Sequence, residues 1–441
     1  MRRRRSLRRP KLGVVGVVVF LLAFAVRAWW ALRVQRPVDA IWSDMAGYVL
    51  RAEMLLSGEM PGEPRMLVLW PWGTHALVAG EIALFGRTSV IGIGLCHAAI
   101  GAIAAPCASA LPARFVPGRR AALLAGTAVA LWHPHVVYSG YFSSEIWFTS
   151  ATLLATVFLV RHAEGRPGAI AGGIFLGLAF AIRPQVLLTC AIVAPLLVLA
   201  RLRGKRLLPR SSGALVAILL PLALLMAASS ARFHRLTGRW GLIAASDSVQ
   251  RLFGATDVAK LESTWTAPNG DRWTWWYNPT TKGIATPATT ETFEGFIADR
   301  EIIAAIQERR LEGVGIGARL RRMVDNVRLL VDNVPWPEKD TRIRPRRVLQ
   351  NNYRGAVFVV LGLALFGLWP LRRHAVAGLL VTAQLATILV VAALFLGEAR
   401  YRVPYDPLFI VVAVVGLWAI AGFVVRRIRA RRDVRVTLAS P

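Results

Sequence analysis

The chain has 441 residues, 55% hydrophobic and 18% charged, against about 45–50% and 25% for an ordinary soluble protein, which argues against a soluble globular enzyme. The formal charge of +29, from 54 Lys and Arg against 25 Asp and Glu, would alone suggest a nucleic-acid partner. The basic residues instead crowd into short spacers between long apolar runs, as in the cytoplasmic loops of a membrane protein, and no nucleic-acid-reading motif accompanies them.

In chain order, the basic stretch 1–11 precedes the apolar run 12–26, with no small-residue cleavage site after it and Trp29 and Trp30 at its end. This predicts an uncleaved first helix over 13–32. The first loop, 33–87, contains an apolar stretch at 66–85 interrupted by Pro71, His75 and Glu81, predicted to lie outside the membrane core. Further spans are predicted over 88–111, 121–137, 144–160, 169–183, 185–200, 212–230, 355–370, 375–396 and 404–425. The run 169–200 is too long for one span at about 1.5 Å per residue across a core of about 30 Å, and Arg183-Pro184 divides it. The three cysteines, Cys96, Cys107 and Cys190, sit in apolar runs without CxxC spacing and read as small core residues. His133 and His135, beside Pro134, read as structural.

The result is an all-α polytopic membrane protein with about ten transmembrane helices. An even count puts both termini on one side. Segments assigned to the cytoplasm hold 25 of the 54 Lys and Arg, whereas the short outward connections 138–143 and 397–403 carry only Arg400 and Arg402. Both termini are therefore expected in the cytoplasm. Three regions follow: an N-terminal membrane core over 1–230, a small mixed outer domain over 231–353, and C-terminal helices with a basic tail over 354–441.

Within the outer segment, Asn269-Gly270 predicts a hairpin turn between tryptophan-rich strands. Trp265, Trp273, Trp275 and Trp276 could stack on sugar rings or anchor the hairpin in the headgroup layer; anchoring is the preferred reading. From Thr292 to Val331 the spacing of Phe293, Phe296, Ile297, Leu320, Met323, Val324, Val327 and Leu330 predicts amphipathic helix, its second part against the membrane.

Parity sets four features on one face: Asp44 with Tyr48, Glu145, Arg183, and Arg400 with Arg402. Each has an ordinary reading. Asp44 suits a solvated loop, Glu145 a helix start, Arg183 a helix break with freed carbonyls, and Arg400 and Arg402 interfacial anchoring. Together, ionisable groups near bilayer depth point to function or to pairing.

These residues sit in four short motifs, WSDMAGY (42–48), YSGYFSSEIWF (138–148), GLAFAIRPQVLL (177–188) and GEARYRVPYDPLFI (397–410). In order and sidedness they resemble the GT-C-fold membrane glycosyltransferases, which include protein O-mannosyltransferases and lipid A aminoarabinose transferases, the glycosyltransferase family 39-like group. The resemblance covers about two thirds of the chain and implies a GT-C-like fold. It also implies transfer of a sugar from a polyprenyl-phosphate carrier to a lipid, glycan or protein acceptor on the outer side of the membrane, with membrane lipids and no nucleic acid as partners. Carried onto this sequence, it makes Asp44 the base that takes the acceptor proton. Arg400, supported by Arg402 and Arg183, would hold the leaving phosphate; Glu145, the second catalytic residue, would orient the sugar or acceptor or assist a metal if one is present, and Tyr48 would bind substrate. Several relatives carry two adjacent acids in the first loop. Here Met45 follows Asp44, so a divalent metal is left open and no metal ligand is assigned.

Two other classes fit the same composition: a polysaccharide polymerase or ligase using polyprenyl-linked sugars, and a transporter or flippase. The latter commonly shows paired repeats, and no second half resembling the first is visible. The abundance of Arg and Ala suggests a bacterial plasma membrane.

Overall fold

The structure, a computed structural model, describes residues 12–203, 212–277, 289–332, 344–372 and 374–438. Helix α1 (Leu12–Trp29) leads into a first loop carrying α2 (Asp44–Ser57) and α3 (Trp72–Phe85). There follow α4 (Val90–Ala102), α5 (Ala104–Ala110), α6 (Arg119–Ala130), α7 (His133–Val137), α8 (Ser144–Ala163), α9 (Ala169–Ile182), α10 (Val186–Leu202) and α11 (Ser212–Thr237). Six described helices are long and apolar enough to cross a membrane, or seven counting α6 and α7, which bend by 53° ahead of Pro134. Three shorter apolar helices, Ala169–Ile182, Val186–Leu199 and Gly355–Leu371, complete the ten segments read from the sequence. The stretch 66–85 adds no span. It forms a 3₁₀ turn and α3, with His75 and Glu81 buried against neighbouring helices.

The hydrophilic segment comprises α12 (Asp247–Ala255), β1 (Val258–Thr266), β2 (Arg272–Tyr277), β3 (Thr289–Glu294), α13 (Arg300–Leu311) and α14 (Ile316–Asp332). The membrane part resumes with α15 (Arg344–Leu371), α16 (Ala375–Leu394), α17 (Ala399–Arg402) and α18 (Asp406–Leu438). The sheet order is β2-β1-β3. The β1–β2 pair is antiparallel with Trp265 opposite Trp273, and β1–β3 is parallel. The hairpin turns where expected, with Gly270 at φ +88°.

One expectation is corrected. Thr292 and Phe293 belong to β3, and helix begins only at Arg300, capped by the Asp299 carboxylate on the backbone amides of Glu301 (3.0 Å) and Ile302 (3.5 Å). Alternation over 289–294 places Glu291 inward, a period of two that the phenylalanine spacing concealed. Helix α14 does leave an apolar stripe exposed, at Ile316, Leu320 and Val324.

The first loop and the hydrophilic segment share one core. Met66, Val68 and Leu69 pack with Phe253, Leu261, Trp265 and Phe296, and the amides of Ala245 and Ser246 donate to the carbonyls of Val68 (2.8 Å) and Leu69 (3.2 Å). A second junction fastens this body to the membrane helices. Asn326 donates to the carbonyls of Gly254 (2.8 Å) and Phe395 (3.4 Å), and a Cβ at Gly397 would lie 1.8 Å from the Asn326 carbonyl oxygen. Only glycine admits that approach, which places the segment before α17 directly beneath the hydrophilic body.

Glu63 pins the hairpin to the first loop. Its buried carboxylate accepts from the Arg65 amide (3.0 Å), Arg65 Nε (2.8 Å), Arg65 Nη2 (2.6 Å) and Trp265 Nε1 (2.8 Å). Loss of solvent opposes its charge, but the hydrogen bonds from Arg65 and Trp265 outweigh that and hold the carboxyl below the usual range. A depressed folded value means stabilisation that is complete above the unfolded value of about 4.3 and lost as pH falls through the folded one. Hydrogen exchange of the hairpin amides, corrected for intrinsic rate, should accelerate below about pH 4, and should already be fast at neutral pH in Glu63→Ala. Equal protection at pH 7 and pH 3 would exclude this role for Glu63.

Candidate active site

Four chain breaks at one end of the helix bundle bring the expected residues together. Asp44 begins α2, and Glu145 occupies the first turn of α8. Arg183 ends α9 because Pro184 forces its predecessor into extended backbone (φ −147°, ψ 112°), which turns the side chain out of the helical path. Arg400 lies in α17, the single turn before α18. The Gly73 position in α3 packs against the Ala181 backbone, where a Cβ would come within 2.5 Å, so the first loop abuts the Arg183 break.

The side chains form an alternating chain of charge. Arg400 Nη2 donates to Asp44 Oδ2 at 2.9 Å, and Arg400 Nε lies 3.6 Å from Glu145 Oε1. Arg183 Nη2 donates to the same Glu145 oxygen and to Ser144 Oγ (2.7 Å), while Arg183 Nε donates to Ser144 Oγ at 3.0 Å. Tyr48, one turn beyond Asp44 on the same face of α2, is buried beside Trp70, ring centroids 6.1 Å apart. Burial first, then the nearby charges of Asp44 and Glu145, push its hydroxyl up to about 12. Tyr48 is therefore a neutral hydrogen-bonding group at any physiological pH.

The structure thus assembles Asp44, Tyr48, Glu145, Arg183 and Arg400. Arg402 does not join them, which corrects its expected support of Arg400. Two residues along a helical turn, it points away and is 2% exposed. Its Nε donates to Asp406 Oδ1 (2.7 Å), and its terminal nitrogens to the Leu330 carbonyl and the Tyr353 hydroxyl. Trp132 Nε1 completes the shell of Asp406 at 2.7 Å.

Sequence reading missed the groups that cover the site. Tyr401 Oη donates to Gln250 Oε1 (3.2 Å), and Gln250 Nε2 donates to Tyr277 Oη (2.7 Å), so the hydrophilic body closes over Arg400 through one hydrogen-bonded chain. Loss of solvent, then the charges of Tyr401 and Asp44, push the Tyr277 hydroxyl well above its ordinary range. Alternation from Trp273 and Trp275 would have placed Tyr277 on their face; nothing in the sequence marks Gln250. Ser43 is equally unmarked. It is the one described non-glycine residue with positive φ (φ +49°, ψ −129°), a conformation costing about 1–3 kcal/mol, immediately before Asp44.

Two acceptors at the site could in principle bind a divalent cation, but Asp44 and Glu145 both face Arg400. Among the described residues no group of three His, Cys, Asp or Glu is placed to hold a metal. The donor set does not fit one. His133 and His135 have packing roles: His133 stands edge-on to Trp30 and Tyr353, and His135 Nε2 is 2.8 Å from the Val403 carbonyl.

No family model matches the chain, and no curated protein does. Among solved structures, the apo oligosaccharyltransferase of Archaeoglobus fulgidus superposes with a TM-score of 0.50 at 13% identity, covering 97% of this chain and 52% of that one. The chain thus spans about half the length of that protein. ArnT from Cupriavidus metallidurans is matched at a TM-score of 0.39 and 14% identity in two states. The match covers 92% of this chain and 78% of the apo structure, or 77% of the structure bound to undecaprenyl phosphate. The likeness to the oligosaccharyltransferase shows the fold: this is a multi-pass membrane protein of GT-C-like architecture.

The two arginines should separate on substitution. Arg402→Ala leaves the buried Asp406 charge with Trp132 as its remaining described partner, a loss on the order of 3–5 kcal/mol, and should lower the unfolding temperature in detergent markedly. Arg400→Ala, at a partly open site, should unfold close to wild type. Comparable unfolding temperatures for both variants would contradict the division of roles.

Proposed function

We propose that the protein is a membrane glycosyltransferase that moves a sugar from a polyprenyl-phosphate carrier to a hydroxyl-bearing acceptor, on the outer face of a bacterial plasma membrane. The observation that carries this reading is the chain Asp44–Arg400–Glu145–Arg183, built from four separate elements at one end of an apolar bundle. The four motifs that resemble the GT-C transferases contribute one of these residues each.

The chemistry follows from what each group can do. An acceptor hydroxyl is a poor nucleophile until a base takes its proton during attack. Asp44 supplies a carboxylate of which Oδ2 is held by Arg400, while Oδ1 makes no hydrogen bond to any described residue. The acceptor oxygen forms a bond to the anomeric carbon as the bond from that carbon to the phosphate oxygen breaks, and the proton passes to Asp44 Oδ1. The electron pair leaves with the lipid phosphate, whose growing charge needs fixed cations. Arg400 is the first of these. Arg183 is the second: its Nη1 is buried without a hydrogen-bond partner among the described residues, a donor left unspent in a place where that is costly. The Ser143 hydroxyl is buried and unpartnered in the same way.

Glu145 keeps both guanidinium groups in place and limits their mutual repulsion. Direct displacement inverts the anomeric centre, so the product stereochemistry is opposite to the donor's.

Native mass spectrometry of the purified protein, with Arg183→Ala and Arg400→Ala beside wild type, should show a co-purified polyprenyl phosphate, with or without sugar, that weakens in both variants. Asp44→Asn should keep the lipid and lower turnover by about 10²–10⁴-fold. Absence of the lipid from wild type, under conditions that retain phospholipid, would count for a transporter instead. Full turnover in Asp44→Asn would remove Asp44 as the base and favour the polymerase or ligase reading.

A further inference from the structure

A groove of about 370 Å³ lies between α2 and the β1–β2 hairpin, and neither Asp44 nor Arg400 lines it. Its volume is within the range of small-ligand sites. One wall is α2 itself, with Ser43 and Gly47 in the lining. Ser43 directly precedes Asp44, and Gly47 is three residues beyond it on an adjoining face, so the lining reaches the immediate neighbour of the proposed base, though Asp44 itself does not line it. A Cβ at Gly47 would lie 2.8 Å from the Trp70 ring, so this indole rests directly on helix backbone.

The opposite wall is the inward face of β2, carrying Trp273 and Trp275. Alternate residues of a strand stand about 6.8 Å apart on one face. Both indoles are half-buried, whereas Trp276, on the other face, is 64% exposed. Trp273 is backed by the buried Trp265, stacked at 6.2 Å and 22°, which Glu63 holds by hydrogen bond. This wall is fixed from behind, and Trp273 and Trp275 both line the groove, whereas Trp276 does not.

The charges around the groove are already used. Arg51 donates to the carbonyls of Met66 (2.9 Å) and Gly47 (2.8 Å) and lies over Trp70, while Arg87 pairs with Glu53 at 2.8 Å. No cation of this lining is left over for an anionic headgroup, in contrast to Arg183, whose Nη1 has no hydrogen-bond partner among the described residues. Flat aromatic walls with few free polar groups suit a ligand that offers apolar ring faces and keeps its hydroxyls at the edge.

We infer that this groove is the acceptor subsite and binds a neutral saccharide, its rings against Trp273 and Trp275 and its reacting hydroxyl delivered past Ser43 to Asp44. The inference rests on the proposed transferase reading for the last step, but the binding it describes can be tested separately.

The test uses the full chain in nanodiscs with a mixture of short neutral oligosaccharides of glucose, mannose, galactose and arabinose. Hydroxyl-radical footprinting of wild type and of Asp44→Asn should show Trp273 and Trp275 protected by at least one of them and Trp276 unchanged. Affinity for that oligosaccharide should fall about tenfold or more in Trp275→Ala and persist in Trp276→Ala. Protection without any glycosyl product would uphold the subsite and overturn the transferase reading. Glycosyl product formed with no protection of Trp273 and Trp275 would do the reverse. Protection by sugar-free vesicles containing polyprenyl phosphate, and by no saccharide, would assign the groove to lipid and overturn the inference.

Discussion

The constraint on which the site depends is the burial of Glu145. A carboxylate out of water at the end of a helix bundle is tolerated only if its charge is met at close range, and here one oxygen faces two guanidinium groups, Arg183 and Arg400. Those arginines come from the break between α9 and α10 and from the turn before α18. Satisfying Glu145 therefore aligns three regions of the chain, and the second guanidinium carries the alignment on to Asp44 in the first loop. The same arrangement sets two positive groups beside two negative ones, and Arg183 Nη1 is a buried donor without a hydrogen-bond partner among the described residues. That composition can accept a further anion without having to bury an uncompensated charge first.

The neighbouring arginines of α17 show how little separates the two uses of such a residue. Arg400 and Arg402 are two positions apart on a helical turn, hence on different faces. Arg400 meets the partly open Asp44, while Arg402 meets the buried Asp406, which Trp132 also holds, and donates to the Leu330 carbonyl and the Tyr353 hydroxyl. The second pair ties the start of α18 to α14 and α15, and so fixes the height at which Arg400 sits. In that sense Arg402 acts on the site through position alone.

The membrane segments were legible in the sequence because length and apolarity decide them, and the Arg183-Pro184 break because proline restricts the residue before it. The convergence of Asp44, Tyr48, Glu145, Arg183 and Arg400 followed from counting spans, since parity assigns ends of helices to sides before any contact is known. What the count could not reach was geometry within a side. Arg402 was indistinguishable from Arg400 without the helical turn they share. The β3 strand was hidden because Phe293, Phe296 and Ile297 fit a helical spacing, whereas its pairing partner lies some thirty residues earlier in β1. Gln250 carries no local signal at all: its role is set by Tyr277 of the hydrophilic segment and Tyr401 of α17 in the membrane part.

Ser43 joins these features into one arrangement. Its positive φ is a cost that nothing in its own side chain repays, and such a conformation persists where the surroundings fix it from both sides. Here the amides of Met45 and Ala46 both donate to the Trp42 carbonyl (3.1 and 3.4 Å), and that of Gly47 to Ser43 (3.2 Å). Helix α2 therefore starts abruptly rather than winding up over a turn. The abrupt start presents Asp44 at the helix N-terminus, where it meets Arg400, with the tryptophan-lined groove beginning at the adjacent Ser43. The strained residue thus stands at the junction of the two, lining the aromatic groove and directly preceding the carboxylate that Arg400 holds.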